Sequence, residues 1–310
     1  MTQQPNITAA SWLMIAVLGF VWGGTFMIIE VALRGMTPFW LAAGRIGFAA
    51  VLMGAVWAMR GFALFQSPPS AAAWRITALI GAMSSAVPFI LLSWGQQYVT
   101  SGFAGVSMAS VSLLILPLAH FLVPGEQLTL RKSAGFLIGF FGVCVLIGAQ
   151  AFESSGTRLE TPGRIACFSA AFCYAISSVL MRRLPSVDPI GLAAVLIIIG
   201  ALVVIPVAYF VEGPPPLPDA RTAGVIAFLG LVPTAAASLM RVLVVRSAGP
   251  VFMSLTGYQV PVWSVVLGAL VLGEPLPPSL LTALLLILAG LALSQYGSLS
   301  RLFRQRKSSS

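Results

Sequence analysis

The side chains able to do chemistry in this 310-residue chain are few, and most of them are uncharged. There is one histidine, His120, and none of the eight acidic residues lies in the middle of a long apolar stretch. The chain also lacks an HExxH or CxxC motif and shows no convergent nucleophile and base. These features indicate reversible binding rather than catalysis. We therefore expect a protein that is not an enzyme and has no catalytic residue, metal or cofactor.

Polar and aromatic side chains stand in the middle of several apolar segments. Tyr258-Gln259 is the clearest case, because a phenol and an amide both need partners in an apolar environment. Such groups can hydrogen-bond to a small solute or stack on it. For single serines, close helix packing is the competing interpretation. The predicted substrate-binding residues are Trp22, Ser84, Ser110, Tyr174, Thr234, Tyr258, Gln259 and Trp263.

The elements that position these residues are predicted to be membrane-spanning helices. Hydrophobic residues make up 58% of the chain and charged residues 8%, against about 25% charged in soluble domains. Each span needs about 20 apolar residues, and backbone polar groups in lipid must be satisfied within a helix. The sequence predicts an all-α membrane protein with ten transmembrane helices, at about 11–30, 38–59, 73–96, 102–123, 133–150, 163–181, 189–211, 221–244, 250–272 and 279–296.

The polar midsections are confined to six of these spans. Spans one, three, four, six, eight and nine carry them, whereas the middles of spans two, five, seven and ten are wholly apolar. Because buried polar groups need partners, we expect the six to surround a hydrated path and the four to shield it from lipid.

A weak internal repeat divides the chain. Gly125-Glu126 follows span four and Gly273-Glu274 follows span nine, while Gly142 and Gly290 hold matching places in spans five and ten. Five spans per half is an odd number, so the second half must be inverted, as in many secondary transporters. We predict one five-helix repeat at 1–150, an inverted repeat at 151–298 and a basic cytoplasmic tail at 299–310.

The basic residues predict the orientation. The net charge of +9 is spread between apolar segments, which favours contact with the lipid bilayer and no nucleic acid. With the N-terminus inside, the inner side holds Arg60, Arg75, Arg131, Lys132, Arg182, Arg183, Arg241, Arg246, Arg301, Arg304, Arg306 and Lys307, and the outer side Arg34, Arg158, Arg164 and Arg221. Twelve basic residues against four indicate that both termini are cytoplasmic.

Two arginines lie inside spans. Arg45 is expected to extend toward the outer interface or pair with Glu30, and Arg241 to extend toward the inner one. Neither is counted as part of the path. An anionic substrate would need several cations in the cavity, and the sequence offers none among the predicted site residues.

The chain resembles the EamA family of the drug/metabolite transporter superfamily over nearly its whole length. The resemblance is carried by Val123-Pro-Gly-Glu126-Gln-Leu128, by Val271-Leu-Gly-Glu274-Pro-Leu276, by Trp22-Gly23 in span one and by Arg45 in span two. It implies ten helices around a central cavity, alternating access and a bacterial inner membrane. Within the family, the amino-acid exporters of the YddG-like branch are the favoured match.

The predicted function is export or facilitated passage of small neutral or zwitterionic metabolites, with amino acids as the favoured substrate. The absence of mid-span carboxylates argues against coupling to protons or sodium. The alternatives are a drug or nucleotide-sugar carrier, a channel or an intramembrane enzyme. The substrate, the direction and the oligomeric state stay open, and a monomer is compatible with the sequence.

Overall fold

The computed structural model describes residues 6–99, 104, 107–148, 156, 158–272 and 278–296. Over these residues the secondary structure is helical, with one isolated bridge between Phe65 and Val187. The helices are α1 (Ala9–Leu33), α2 (Pro38–Met59), α3 (Ala71–Gly95), α4 (Val111–Leu122), α5 (Leu130–Ile147), α6 (Glu160–Arg183), α7 (Pro189–Glu212), α8 (Ala220–Ala248), α9 (Pro250–Ser254), α10 (Thr256–Leu272) and α11 (Leu280–Ser294).

Hydrogen-bonding residues begin several of these helices and glycines end them. Thr8, Ser70 and Asp188 each accept a bond from a backbone N–H in the first turn of the helix that follows. These bonds satisfy donors that a helix start leaves free. Gly213 and Gly249 follow α7 and α8 with φ of 81° and 93°, a conformation open mainly to glycine. Local sequence therefore sets many of the helix boundaries.

Within the described ranges, six helices have the length and apolar composition needed to cross a membrane: α1, α2, α3, α6, α7 and α8. Two shorter apolar helices, α4 and α11, accompany them. Large apolar side chains such as Phe210, which is 84% exposed, cover the outside of the molecule. A surface of this kind suits lipid rather than water. The chain is therefore an all-α membrane protein, as the sequence predicts.

Glycine contacts bring two helices of the bundle close together. The backbone of α5 at Gly135 lies against that of α11 at Gly290, where an added Cβ would stand 2.5 Å from the Gly135 carbonyl oxygen. Helix α2 packs along α7, and α1 along α10. Helix α6 packs against both α3 and α4. The bundle that results encloses a space at its centre.

Among the described residues, two helices contain a π-helical stretch. It covers Ala82–Ala86 in α3 and Leu231–Ala236 in α8. Pro88 and Pro233 lie just after or within these stretches, and a proline removes one helical N–H donor. Such single-turn widenings are frequent at functional sites. Both of them lie beside the central space.

The predicted count of ten spans and the boundaries at 1–150, 151–298 and 299–310 stay predictions. Several of the connections that would settle the count lie outside the described residues, including 100–103, 149–155 and 273–277. The predicted tail at 299–310 and the second Gly-Glu pair, at 273–274, also lie outside them.

Candidate functional site

A cavity of about 200 Å³ occupies the centre of the bundle. A water molecule takes up about 30 Å³ of liquid, so the cavity has room for an organic solute of several heavy atoms. Its wall is mostly apolar with a few polar groups, which is the usual makeup of a small-molecule site. The polar and aromatic residues that line it are Trp22, Thr25, Arg45, Ser84, Phe89, Ser93, Gln96, Tyr174, Ser178, Ser238, Arg241, Ser254 and Thr256.

The wall comes mainly from the helices whose sequences carry polar midsections. Helices α1, α3, α4, α6, α8 and the α9–α10 pair all contribute side chains. In the described part of the chain, α5, α7 and α11 contribute none. Helix α2 was predicted to shield the path from lipid. The structure differs, because Leu41 and Arg45 of α2 line the cavity.

Arg45 reaches the cavity wall from α2. It is 8% exposed, and its Nε and Nη2 both donate to the Thr234 hydroxyl oxygen, at 3.1 and 3.0 Å. Its guanidinium carbon lies 4.3 Å from the centre of the Phe89 ring, within the range of a cation–π contact. The expected extension to the interface is wrong, since the Thr234 hydroxyl on α8 draws the side chain inward. The Glu30 side chain, the other expected partner, lies outside the part of the chain that the structure describes.

Arg241 enters the cavity from α8. It is 9% exposed, and its Nη2 donates to the hydroxyls of Ser177 and Ser178, both at 2.8 Å. The ring of Tyr174 lies 5.7 Å from its guanidinium carbon. The expected extension of Arg241 toward the inner interface is therefore also wrong. The two serines on α6 hold it at the cavity wall instead.

Two aromatic side chains complete this part of the wall. The Trp22 indole donates to the Pro233 carbonyl oxygen at 3.1 Å, which joins α1 to the π-helical stretch of α8. Tyr174 lines the cavity beside Arg241, whose guanidinium carbon lies 5.7 Å from the centre of its ring. The cavity thus has two cationic groups with an aromatic surface beside them.

Negative side chains are missing from the wall, as far as the structure describes it. None of the described carboxylates lines the cavity or forms an ion pair with Arg45 or Arg241. The described residues also contain no cluster of His, Cys, Asp and Glu that could hold a metal ion. The described part of the wall therefore carries two cations, whereas the sequence had suggested that the cavity lacks them.

Three of the eight predicted site residues line the cavity: Trp22, Ser84 and Tyr174. Two others lie just behind the wall. Thr234, 2% exposed, accepts from Arg45 and donates to the Leu229 carbonyl at 2.7 Å. The Ser110 hydroxyl donates to the Ser107 carbonyl at 2.5 Å. The structure thus gives Thr234 an indirect relation to the cavity through Arg45.

The remaining three predicted site residues lie away from the cavity. Tyr258 is fully buried and donates to the Phe136 carbonyl of α5 at 2.8 Å. Gln259 packs on the backbone of α1 at Gly19. Trp263 meets the outward-facing Phe20 edge to face, with ring centres 5.2 Å apart. These bulky groups find their partners in helix contacts, which sequence reasoning could not distinguish from a cavity.

The site residues that sequence reasoning missed are chiefly Arg45 and Arg241. A signal for them exists, because an ionisable residue inside a span marks a functional position more often than a structural one. The sequence interpretation instead let the long side chains of Arg45 and Arg241 reach the membrane interface. Phe89 and Gln96, which also line the cavity, carry no comparable signal.

Two acidic groups outside the spans have shifted pKa values. Glu126, in the α4–α5 connection, is buried, and burial raises the pKa of its carboxyl. Lys132, whose Nζ lies 3.6 Å from a Glu126 oxygen, offsets part of that effect on the pKa. Asp219 begins α8, and the hydrogen bond from the Thr222 N–H lowers its pKa. Both carboxyls act at helix ends, away from the cavity.

Solved structures share the fold. One crystal structure superposes with a TM-score of 0.76 at 20% identity and covers 94% of this chain and 98% of its own. At that identity the likeness concerns the fold alone.

Curated relatives are similar along most of the chain. An uncharacterized transporter of Archaeoglobus fulgidus is 26% identical over 86% of this chain and 91% of its own length. A protein of Streptantibioticus cattleyicolor named "Probable terminal-alkyne amino-acid exporter" is 25% identical over 96% of each chain. The inner membrane transporter YedA of Escherichia coli K12, also uncharacterized, is 27% identical over 84% of this chain and 82% of its own.

A family model matches the chain twice, over residues 9–148 and 161–296. The two matches together cover most of the sequence, and each takes in one of the two segments that the internal repeat suggests. The family is described as transporters, in agreement with the names of the relatives. The chain therefore belongs to the EamA-like transporter family.

Proposed function

We propose that this protein is a secondary transporter that exports small zwitterionic metabolites, amino acids foremost, or lets them pass, by alternating access through the central cavity. The observation that carries the proposal is the cavity itself, because it combines two arginines with aromatic and apolar walls in a bundle of transporter type. A zwitterion with an apolar side chain suits such a surface better than an uncharged solute does. Trp22, Ser84 and Tyr174 are the predicted residues that we assign to substrate contact.

Alternating access is supported by where the cross-links lie. The Trp22–Pro233 and Arg45–Thr234 hydrogen bonds both join the first predicted half to the second, beside the cavity. Rocking of one half against the other would have to change these bonds. The π-helical stretches of α3 and α8, spans three and eight of the predicted repeat, are natural places for the helices to bend.

The amino-acid assignment has two supports. One relative carries a printed name that refers to amino-acid export, and it matches along nearly its whole length. The cavity offers guanidinium groups to a carboxylate and the rings of Trp22 and Phe89 to an apolar side chain. Because that relative is named an exporter, we propose transport out of the cytoplasm as the direction. We further propose that the protein can act as a monomer, and the lining of the described cavity by residues of a single chain supports this.

The proposed location is the inner membrane with both termini in the cytoplasm. A relative is named an inner membrane transporter, and basic residues favour this orientation. Without Arg241, which lies in the cavity, eleven basic residues on the inner side still face four on the outer side. Single cysteines at Ser67 and Pro216, in a variant without native cysteines, test the orientation. An impermeant maleimide added to intact cells should label only the cysteine at 216, and labelling of only the one at 67 would reverse the topology.

Counterflow in proteoliposomes tests the transport function. Vesicles holding the purified full-length chain and loaded with unlabelled amino acid should accumulate the labelled amino acid, and protein-free vesicles should not. An amino-acid panel identifies the best substrate. Uptake should not need a pH gradient, because no acidic residue lies mid-span. No counterflow with any amino acid would refute the substrate assignment, and a strict requirement for a proton gradient would refute the uncoupled mechanism.

A further inference from the structure

We propose that Arg45 and Arg241 bind the carboxylate of the substrate, so that the cavity selects organic acids of zero or negative net charge and does not require an ammonium group. This inference rests on the proposed transport function and specifies which part of an amino acid the protein recognises. It goes beyond that function by predicting that carboxylates without an amino group are also ligands.

The first support is the burial of two charges without a neutralising partner. Guanidinium groups stay protonated in proteins, and both of these are more than nine-tenths buried. Their partners in the described part of the chain are neutral: one threonine hydroxyl for Arg45 and two serine hydroxyls for Arg241. A buried charge is costly unless it is paired. An anion in the cavity would supply the missing pairing.

The second support is the number of N–H groups left over. A guanidinium has five N–H donors arranged in a planar fork. Arg45 uses Nε and Nη2 toward the single Thr234 oxygen, and Arg241 uses Nη2 toward its two serines. In the described part of the chain, Nη1 of neither arginine donates a hydrogen bond. These N–H groups can donate to a carboxylate, for which the fork geometry is well suited.

The third support is the asymmetry of the wall toward the two ends of an amino acid. A carboxylate finds two guanidinium groups, whereas an ammonium group finds no carboxylate among the described lining residues. The described polar and aromatic lining side chains offer it hydroxyls, one amide and aromatic faces, and the two arginines repel it. Recognition therefore falls on the acid, and the apolar and aromatic wall accepts the remainder of the molecule.

The two arginines lie on helices from different predicted halves of the chain. Arg45 projects from α2 and Arg241 from α8, and both line the cavity. Each predicted half thus supplies one cation to the cavity wall.

A matched series of three ligands tests the proposal on the unmodified protein. L-phenylalanine has both charged groups, 3-phenylpropanoate only the carboxylate, and L-phenylalaninamide only the ammonium. In counterflow of labelled L-phenylalanine, 3-phenylpropanoate should inhibit nearly as well as unlabelled L-phenylalanine. The amide should be weaker by about tenfold or more, as expected for loss of hydrogen bonds to a charged group. Equal inhibition by the amide, or none by 3-phenylpropanoate, would overturn the proposal and leave amino-acid transport standing.

Variants locate the effect. Arg45→Gln and Arg241→Gln should each raise the half-inhibitory concentration of 3-phenylpropanoate by about tenfold, with little change for the amide. Arg75→Gln is the matched control, since it removes an exposed charge from α3 outside the cavity. If a Gln variant does not fold, the corresponding Lys variant keeps the positive charge and should keep the preference for acids. A variant series with unchanged acid binding would contradict the assignment.

A binding measurement separates this proposal from the transport function. In detergent, 3-phenylpropanoate should raise the melting temperature of the wild-type protein, because a ligand of the native state stabilises it. L-phenylalaninamide should not. If amino-acid counterflow fails but this shift appears and is lost in Arg241→Gln, the anion site stands and the transport proposal falls. A shift by the amide alone would refute the anion site.

Discussion

The Tyr258 hydroxyl donates a 2.8 Å hydrogen bond to the Phe136 carbonyl oxygen, which joins α10 to α5. The phenol ring is fully buried, and it lies against α5 at Gly139. A side chain in this position ties two helices together and does not reach the cavity. The relationship gives Tyr258 a structural role in place of the substrate contact that the sequence suggested.

The first prediction concerns Tyr258→Phe. Removal of the hydroxyl should lower the free energy of unfolding by about 0.6 to 1.7 kcal/mol, the range measured for hydrogen bonds between membrane helices. Counterflow per folded molecule should be unchanged. The measurements are thermal unfolding in detergent and counterflow normalised to reconstituted protein. If Tyr258→Phe is as stable as wild type but shows no counterflow, Tyr258 contacts the substrate and its role is not structural.

The second prediction compares two tryptophans. Trp22→Phe keeps an aromatic wall but removes the donor to the Pro233 carbonyl, so transport should fall by about tenfold. Trp263→Phe alters a contact with the outward-facing Phe20 and should leave transport within about twofold of wild type. Initial counterflow rates provide the comparison. A larger loss of transport in Trp263→Phe than in Trp22→Phe would contradict the assignment of the transport path to the cavity beside Trp22.

The third prediction concerns helix packing. Gly290→Ala puts a Cβ 2.5 Å from the Gly135 carbonyl oxygen and from the Gly139 nitrogen, so α5 and α11 must separate. We expect a loss of about 1 to 3 kcal/mol, the usual cost of overpacking. Gly47→Ala in α2 is the control, because no heavy atom lies within 4 Å of its Cβ.

Alanine at position 47 should be neutral or should stabilise the helix by up to about 1 kcal/mol. Melting temperatures in one detergent compare the two variants. Equal melting temperatures would show that the close approach of α5 and α11 does not limit stability.

The fourth prediction follows from the raised pKa of Glu126. Because folding raises this pKa, ionisation of the carboxyl opposes folding. Its favourable contribution is complete below the unfolded pKa and is lost as pH rises through the folded pKa. The melting temperature of wild type relative to Glu126→Gln should therefore fall as pH rises from acidic to neutral.

Asp219 provides a control with the opposite sign. Its pKa is lowered by the Thr222 N–H, so its contribution is present above the unfolded pKa and is lost as pH falls. The melting temperature of wild type relative to Asp219→Asn should fall on acidification. If both differences change in the same direction with pH, the assignment for Glu126 is wrong.

The sequence by itself determined the class of protein and much of its local structure. A low charge content and long apolar segments leave the lipid bilayer as the only suitable environment, and lipid permits only structures whose backbone bonds are internal. Thr8, Asp188 and Gly213 mark helix ends because capping depends on adjacent residues. Polar midsections also identified six of the segments that contribute to the cavity wall. These properties need no knowledge of which helices touch.

The tertiary structure decided which polar side chains face the cavity. Tyr258 and Gln259 are neighbours in sequence, yet each is held by a different helix, one by α5 and the other by α1. Arg45 and Arg241 turn inward because hydroxyls on other helices, at Thr234 and Ser177, accept their hydrogen bonds. A long side chain inside a span can reach either the interface or a buried partner, and the choice depends on contacts between residues far apart in the chain. That is why composition revealed a membrane protein, whereas only the packed bundle revealed the two arginines in the cavity wall.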